Sequence, residues 1–99
     1  EEQKRKELNV IVKADTQGSI EAIIDSLDKI ESEKISIRTI HSAPGEVTEN
    51  DVLLASASDA VILGFHVRAM PGVNRLAKHE GVEVRLYGII YELIEDVKD

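Results

Sequence analysis

Four short apolar runs, Leu8–Ala14, Ile35–His41, Ala60–Val67 and Val82–Tyr87, alternate with stretches whose apolar residues recur every three or four positions. Each run is followed by a polar break and then by a helix-patterned stretch, which predicts four β-α units in succession. A strand followed by a helix rejoins its sheet in parallel, with the helix on one face. The pattern therefore points to an α/β fold before any motif is considered.

The runs differ in how they alternate. Leu8-Asn9-Val10-Ile11-Val12 and Ala60-Val61-Ile62-Leu63-Gly64-Phe65 are almost continuously apolar, as strands covered on both faces are. The second run sets Ile35, Ile37 and Thr39 against Ser36, Arg38 and Ile40, and the fourth sets Val82, Val84 and Leu86 against Glu83, Arg85 and Tyr87. Such half-polar alternation marks edge strands. With strands one and three inside and right-handed crossovers, the predicted sheet is four-stranded, parallel and ordered 2-1-3-4. Helices one and four then cover one face and helices two and three the other, giving a three-layer α/β/α sandwich with its chain reversal between strands one and three.

The helix boundaries carry local signals. Ile20, Ile23, Ile24, Leu27 and Ile30 form the stripe of the first helix. Ser42-Ala43-Pro44-Gly45 predicts a turn, and Thr48 with Asp51 predicts a capping box for a second helix reaching about Ser58. Pro71 suits the first turn of a third helix, with Val73, Leu76 and Ala77 inward, and Gly81 suits its end. The last helix carries Ile89, Ile90, Leu93, Ile94 and Val97 and meets no stop signal before Asp99.

At 99 residues the chain makes one domain, with residues 1–7 as a linker or the end of a preceding helix and 8–99 as the domain, excised from something longer. Without cysteine there is no disulfide frame, thiolate nucleophile or Cys-based zinc site. That fits a reducing compartment, and a cytoplasmic monomer is expected. No apolar segment approaches the length of a membrane span. The aromatics Phe65, Tyr87 and Tyr91 do not make a base-stacking platform.

The net charge of −7 excludes strong phosphate binding over the whole surface, but the charge is uneven. Acidic residues crowd Ala14 to Lys34, whereas Arg68, Arg75, Lys78 and Arg85 face only Glu80 and Glu83 in their stretch. These four, with Lys4-Arg5-Lys6, are the candidate contacts for an anionic partner.

In open parallel sheets ligands sit beyond the carboxyl ends of the strands at the reversal point. Here Asp15, Thr16, Gln17, Gly18 and Ser19 line that crevice opposite Gly64-Phe65-His66-Val67-Arg68. Gly18 at a helix start is where backbone amides would approach an anion. Neither a G-x-G-x-x-G turn nor a G-x-x-x-x-G-K-[ST] loop is present. The simpler reading is a helix start whose orphan amides are capped by a polar side chain; small-molecule or nucleotide binding in the crevice is the alternative. His41, His66 and His79 lack metal-ligand spacing, and no G-x-S-x-G elbow supports a hydrolytic triad. No catalytic, metal or cofactor-binding residue is assigned.

Five blocks in order, Leu8 to Ala22, Val47 to Val52, Ala55 to Ala60, Gly64 to Arg68 and Tyr87 to Ile94, resemble the bacterial translation initiation factor two family. The matching part is the α/β domain between the GTPase and β-barrel region and the C-terminal domain that binds initiator tRNA. The resemblance implies a multidomain GTPase that helps place formylmethionyl initiator tRNA on the small ribosomal subunit and promotes subunit joining. It implies that GTP and magnesium belong to an upstream domain and initiator tRNA to a downstream one. This domain would be a non-catalytic coupling and spacer element contacting the ribosome and its neighbouring domains. Thr16 stands where the family more often has Val, and Ala43-Pro44-Gly45 where it has a Gly-Val-Gly-like turn.

Overall fold

A computed structural model of the chain describes residues 6–30, 35–89 and 92–93. The elements run β1 (Lys6–Ala14), α1 (Gln17–Ile30), β2 (Ile35–Pro44), α2 (Glu49–Ser58), β3 (Ala60–Phe65), α3 (Val73–Glu80) and β4 (Val84–Tyr87). All strand pairs are parallel and the sheet is ordered β2-β1-β3-β4, as the alternation of the runs predicts.

The sheet separates two cores. On one face Val10, Val12, Ala14 and Leu63 pack with Ile20, Ile23 and Leu27 of α1. On the other, Ile11 and Ile62 pack with Val52 and Ala55 of α2 and Val73 and Ala77 of α3. Each fully buried Ile, Leu or Val contributes about 1.5–3 kcal/mol, so the central strands, buried on both sides, carry much of the stability. Glu92 and Leu93 form a helical turn whose amides donate to the Ile89 carbonyl, and Leu93 joins the α1 core. The rest of the predicted last helix lies outside the described residues, as do residues 1–5.

Several boundaries differ from the sequence expectation. β1 begins at Lys6 instead of Leu8, paired with Ile35. α1 begins at Gln17, within the segment expected to be its entry, with the Thr16 hydroxyl accepting the Ser19 amide. β2 runs through the predicted turn to Pro44; on an edge strand the missing proline amide breaks no ladder bond. A bulge at Ile40, between the pairs Val10–Thr39 and Ile11–His41, shifts the register by one residue. β3 spans Ala60–Phe65, as its continuously apolar stretch predicts, and His66 adopts φ 60 and leaves the ladder. α3 begins at Val73: Gly72 takes φ 91, which leaves Pro71 in the preceding turn. β4 begins at Val84 because Val82 still donates to Ala77, closing α3 around Gly81.

The face of β1 that packs on α2 carries two polar residues around Ile11. Asn9 donates from Nδ2 to the Ser58 carbonyl at 3.1 Å, at the C-terminus of α2. Lys13 forms a buried ion pair with Asp51 near its N-terminus. The central strand therefore pins α2 at both ends.

Candidate functional site

The crevice residues are brought together, but mostly with one another. At the end of β1 the Ala14 carbonyl accepts the Gly45 amide at 2.8 Å. Thr16 Oγ1 accepts the Ser19 amide and donates to Ser19 Oγ, both at 3.1 Å, so α1 is capped from within. A Cβ on Gly18 would stand 3.9 Å from Thr16 Oγ1, an ordinary contact, so no close backbone approach requires glycine there. Asp15, Gln17 and Gly18 are exposed. Across the crevice, His66 reaches the Asp15 carboxylate and the Gly88 carbonyl. Among the described residues no group of three or more His, Asp or Glu is placed to hold a metal ion.

The four candidate basic residues do not form one patch. Arg68 is exposed on the link from β3 to α3, where its carbonyl accepts the Val47 amide at 3.0 Å. Arg75 and Lys78 are exposed on α3, at the i, i+3 spacing that makes them neighbours on its surface. Arg85 lies on β4 opposite Leu63, on the α1 side of the sheet, whereas α3 covers the other side. Its guanidinium donates to Glu83 at 2.7 Å, and that hydrogen bond raises it above the ordinary arginine value. Beside Arg75 a groove of about 740 Å³ runs between the start of α2 and α3, lined by Glu49, Met70, Leu76 and His79 among others.

Two residues that shape this region escaped the sequence reading. Lys13 reads as one charge in a strand, and its partner is far away in the chain. Gly64 reads as an ordinary strand glycine, yet a Cβ there would lie 2.7 Å from Leu86 Cδ2 and 3.0 Å from Val67 Cγ2. A glycine breaking an apolar strand is the signal that marks such a close approach.

The fold and its crevice define a doubly wound α/β domain whose strand-end loops are tied to one another by capping and ring contacts. The model of the family described as Translation-initiation factor 2 matches residues 1–98. The translation initiation factor IF-2 of Desulfosudis oleivorans is 54% identical over 98 residues, covering 99% of this chain and 11% of that protein. That of Caldanaerobacter subterraneus is 57% identical over 93 residues, covering 94% and 13%. A crystal structure of GDP-bound aIF5B from Aeropyrum pernix superposes with a TM-score of 0.74 at 32% identity, over 93% of this chain and 16% of that one. The chain belongs to the translation-initiation factor 2 family, and it spans about a tenth of the length of the curated relatives it matches.

Proposed function

We propose that this chain is the coupling and spacer domain, itself non-catalytic, of a multidomain translation initiation GTPase. The parent helps place formylmethionyl initiator tRNA on the small ribosomal subunit and promotes subunit joining. GTP and magnesium are held by an upstream domain and the initiator tRNA end by a downstream one. The domain, residues 8–99 after a linker of residues 1–7, works as a monomer in the cytoplasm, and Arg68, Arg75 and Lys78 meet ribosomal RNA phosphate.

The observation that carries this reading is the pinning of α2 by Asn9 and Lys13 across a sheet packed on both faces. A close-packed body of this kind moves as a unit, so displacement at one end is passed to the other. Family membership supports the translational setting.

The test uses the full-length factor with a short flexible Gly-Ser insert between Gly88 and Ile89, which uncouples the chain that follows from the sheet. Nucleotide affinity is expected to stay at the wild-type level while subunit joining slows. Joining at the wild-type rate overturns the coupling role. Loss of nucleotide binding overturns the assignment of GTP to another domain. Backbone amide shifts of the 99-residue chain with added GTP distinguish the crevice alternative, which requires them to cluster on Thr16–Ser19 and His66–Arg68.

A further inference from the structure

His66 leaves β3 in a left-handed conformation, φ 60, that His, Asn and Asp adopt more readily than other side-chain-bearing residues. Two contacts fix it there. Its amide donates to the Tyr87 carbonyl at 2.9 Å. Its ring stacks on Phe65, with centroids 4.1 Å apart and planes 20° from parallel. From that position Nε2 lies 2.7 Å from the Gly88 carbonyl oxygen, and Nδ1 lies 3.6 Å from Asp15 Oδ2.

The proton count of the ring decides what it can hold. A carbonyl oxygen only accepts, so the short contact to Gly88 requires the proton on Nε2. A neutral imidazole has no second proton, and its Nδ1 lone pair then faces a carboxylate. Only the imidazolium both donates to the Gly88 carbonyl and carries the charge that pairs with the Asp15 carboxylate at 3.6 Å. The groups facing the ring are the Asp15 carboxylate on the β1–α1 turn, the Gly88 carbonyl after β4, and Phe65 on its own strand. Among the described residues, Asp15 is the charged group that pairs with it.

We propose that His66 is a proton-dependent latch joining the Asp15 turn to Gly88, where the chain leaves β4. In the protonated form the ends of β1, β3 and β4 are held together. In the neutral form the Gly88 arm remains and the Asp15 arm lets go. The service of this latch to interdomain coupling rests on the function proposed above. The latch itself does not, and it is tested here without ribosome or nucleotide, so the two ideas fail separately.

The experiment measures amide exchange of the 99-residue chain, corrected for intrinsic rates, at about pH 5 and about pH 8, the ends of the range over which histidine side chains change charge. In the wild type, protection of the Gly88, Ile89, Glu92 and Leu93 amides is expected to be about two- to fivefold higher at the lower pH, the scale of an exposed ion pair. Asp15→Asn is expected to abolish that difference. His66→Asn, which suits the left-handed backbone but is too short for both partners, is expected to lower protection at both pH values. Long-range ring nitrogen correlations should show the proton on Nε2 at the higher pH. Equal wild-type protection at the two pH values, a pH difference that survives in Asp15→Asn, wild-type protection in His66→Asn, or a neutral ring protonated on Nδ1 would each overturn the latch.

Discussion

Lys13 Nζ and Asp51 Oδ2 lie 3.0 Å apart, with the two side chains only 8% and 7% exposed. The same carboxylate oxygen accepts the Thr48 amide at 2.9 Å, so one atom serves the ion pair and the cap of α2 together. Charges removed from water this completely depend on each other. Losing one partner of a buried pair costs about 3–5 kcal/mol, because the other is left uncompensated. Asp51→Asn keeps an acceptor for the Thr48 amide but strands the ammonium, so urea unfolding should show a loss in that range. Lys13→Met combined with Asp51→Asn should lose less than the sum of the two single changes. Strictly additive losses would show that the two groups do not act as a pair.

The cap gives a smaller and separable effect. Thr48 Oγ1 accepts the Asp51 amide at 3.3 Å, completing the capping box. Thr48→Ala should cost about 1 kcal/mol, measured as a shift of the unfolding midpoint with unchanged slope. Thr48→Ser, which keeps the hydroxyl, should recover most of it.

How far the sequence reveals these features depends on how local each signal is. The strand order follows from the polar alternation of the Ile35 and Val82 runs against the continuous apolar runs, a pattern readable residue by residue. The Thr48–Asp51 box is equally local, and the structure contains it in full. The partner of Lys13 is fixed only by the packing of α2 on β1, so a lone lysine beside Val12 gave no hint of burial. The bulge at Ile40 inserts one residue without altering the apolar pattern, and the start of α3 turns on the positive φ of Gly72, which sequence cannot report. In the crevice, the capping role of the Asp15–Ser19 segment was legible, because a hydroxyl at a helix start has few other uses. The contact of His66 with Gly88 was not, since it joins residues brought together by the β3–β4 pairing.

Gly64 offers a test in which two effects oppose each other. Replacing a strand glycine gains about 0.5–1 kcal/mol of backbone entropy. An alanine Cβ meets the tip of Leu86, which is 46% exposed and free to swing aside, and it presses on Val67 at 3.0 Å. The two effects should nearly cancel, leaving Gly64→Ala within about 1 kcal/mol of the wild type. Gly64→Val adds branches that Leu86 cannot clear alone and should cost about 1–3 kcal/mol. Leu86→Ala in the same chain should restore part of that loss, and its failure to do so would place the clash elsewhere.

The separation of Arg85 from the α3 cations makes a specific prediction for ribosome association of the full-length factor. Arg75 and Lys78 are exposed neighbours on α3, while Arg85 is held by Glu83 on the opposite side of the sheet. If the α3 side meets RNA phosphate, reversing Arg75 and Lys78 to Glu should weaken association most at low salt. Each lost contact should flatten the salt dependence by about one unit of slope. Arg85→Glu should leave both the affinity and the slope near wild type, because that guanidinium is already engaged by a carboxylate and faces away. The Arg85 variant controls for the change in net charge, which otherwise lowers attraction to any polyanion. Equal weakening by both substitutions would mean that only overall charge matters, and weakening by Arg85→Glu alone would move the contact to the α1 side of the sheet.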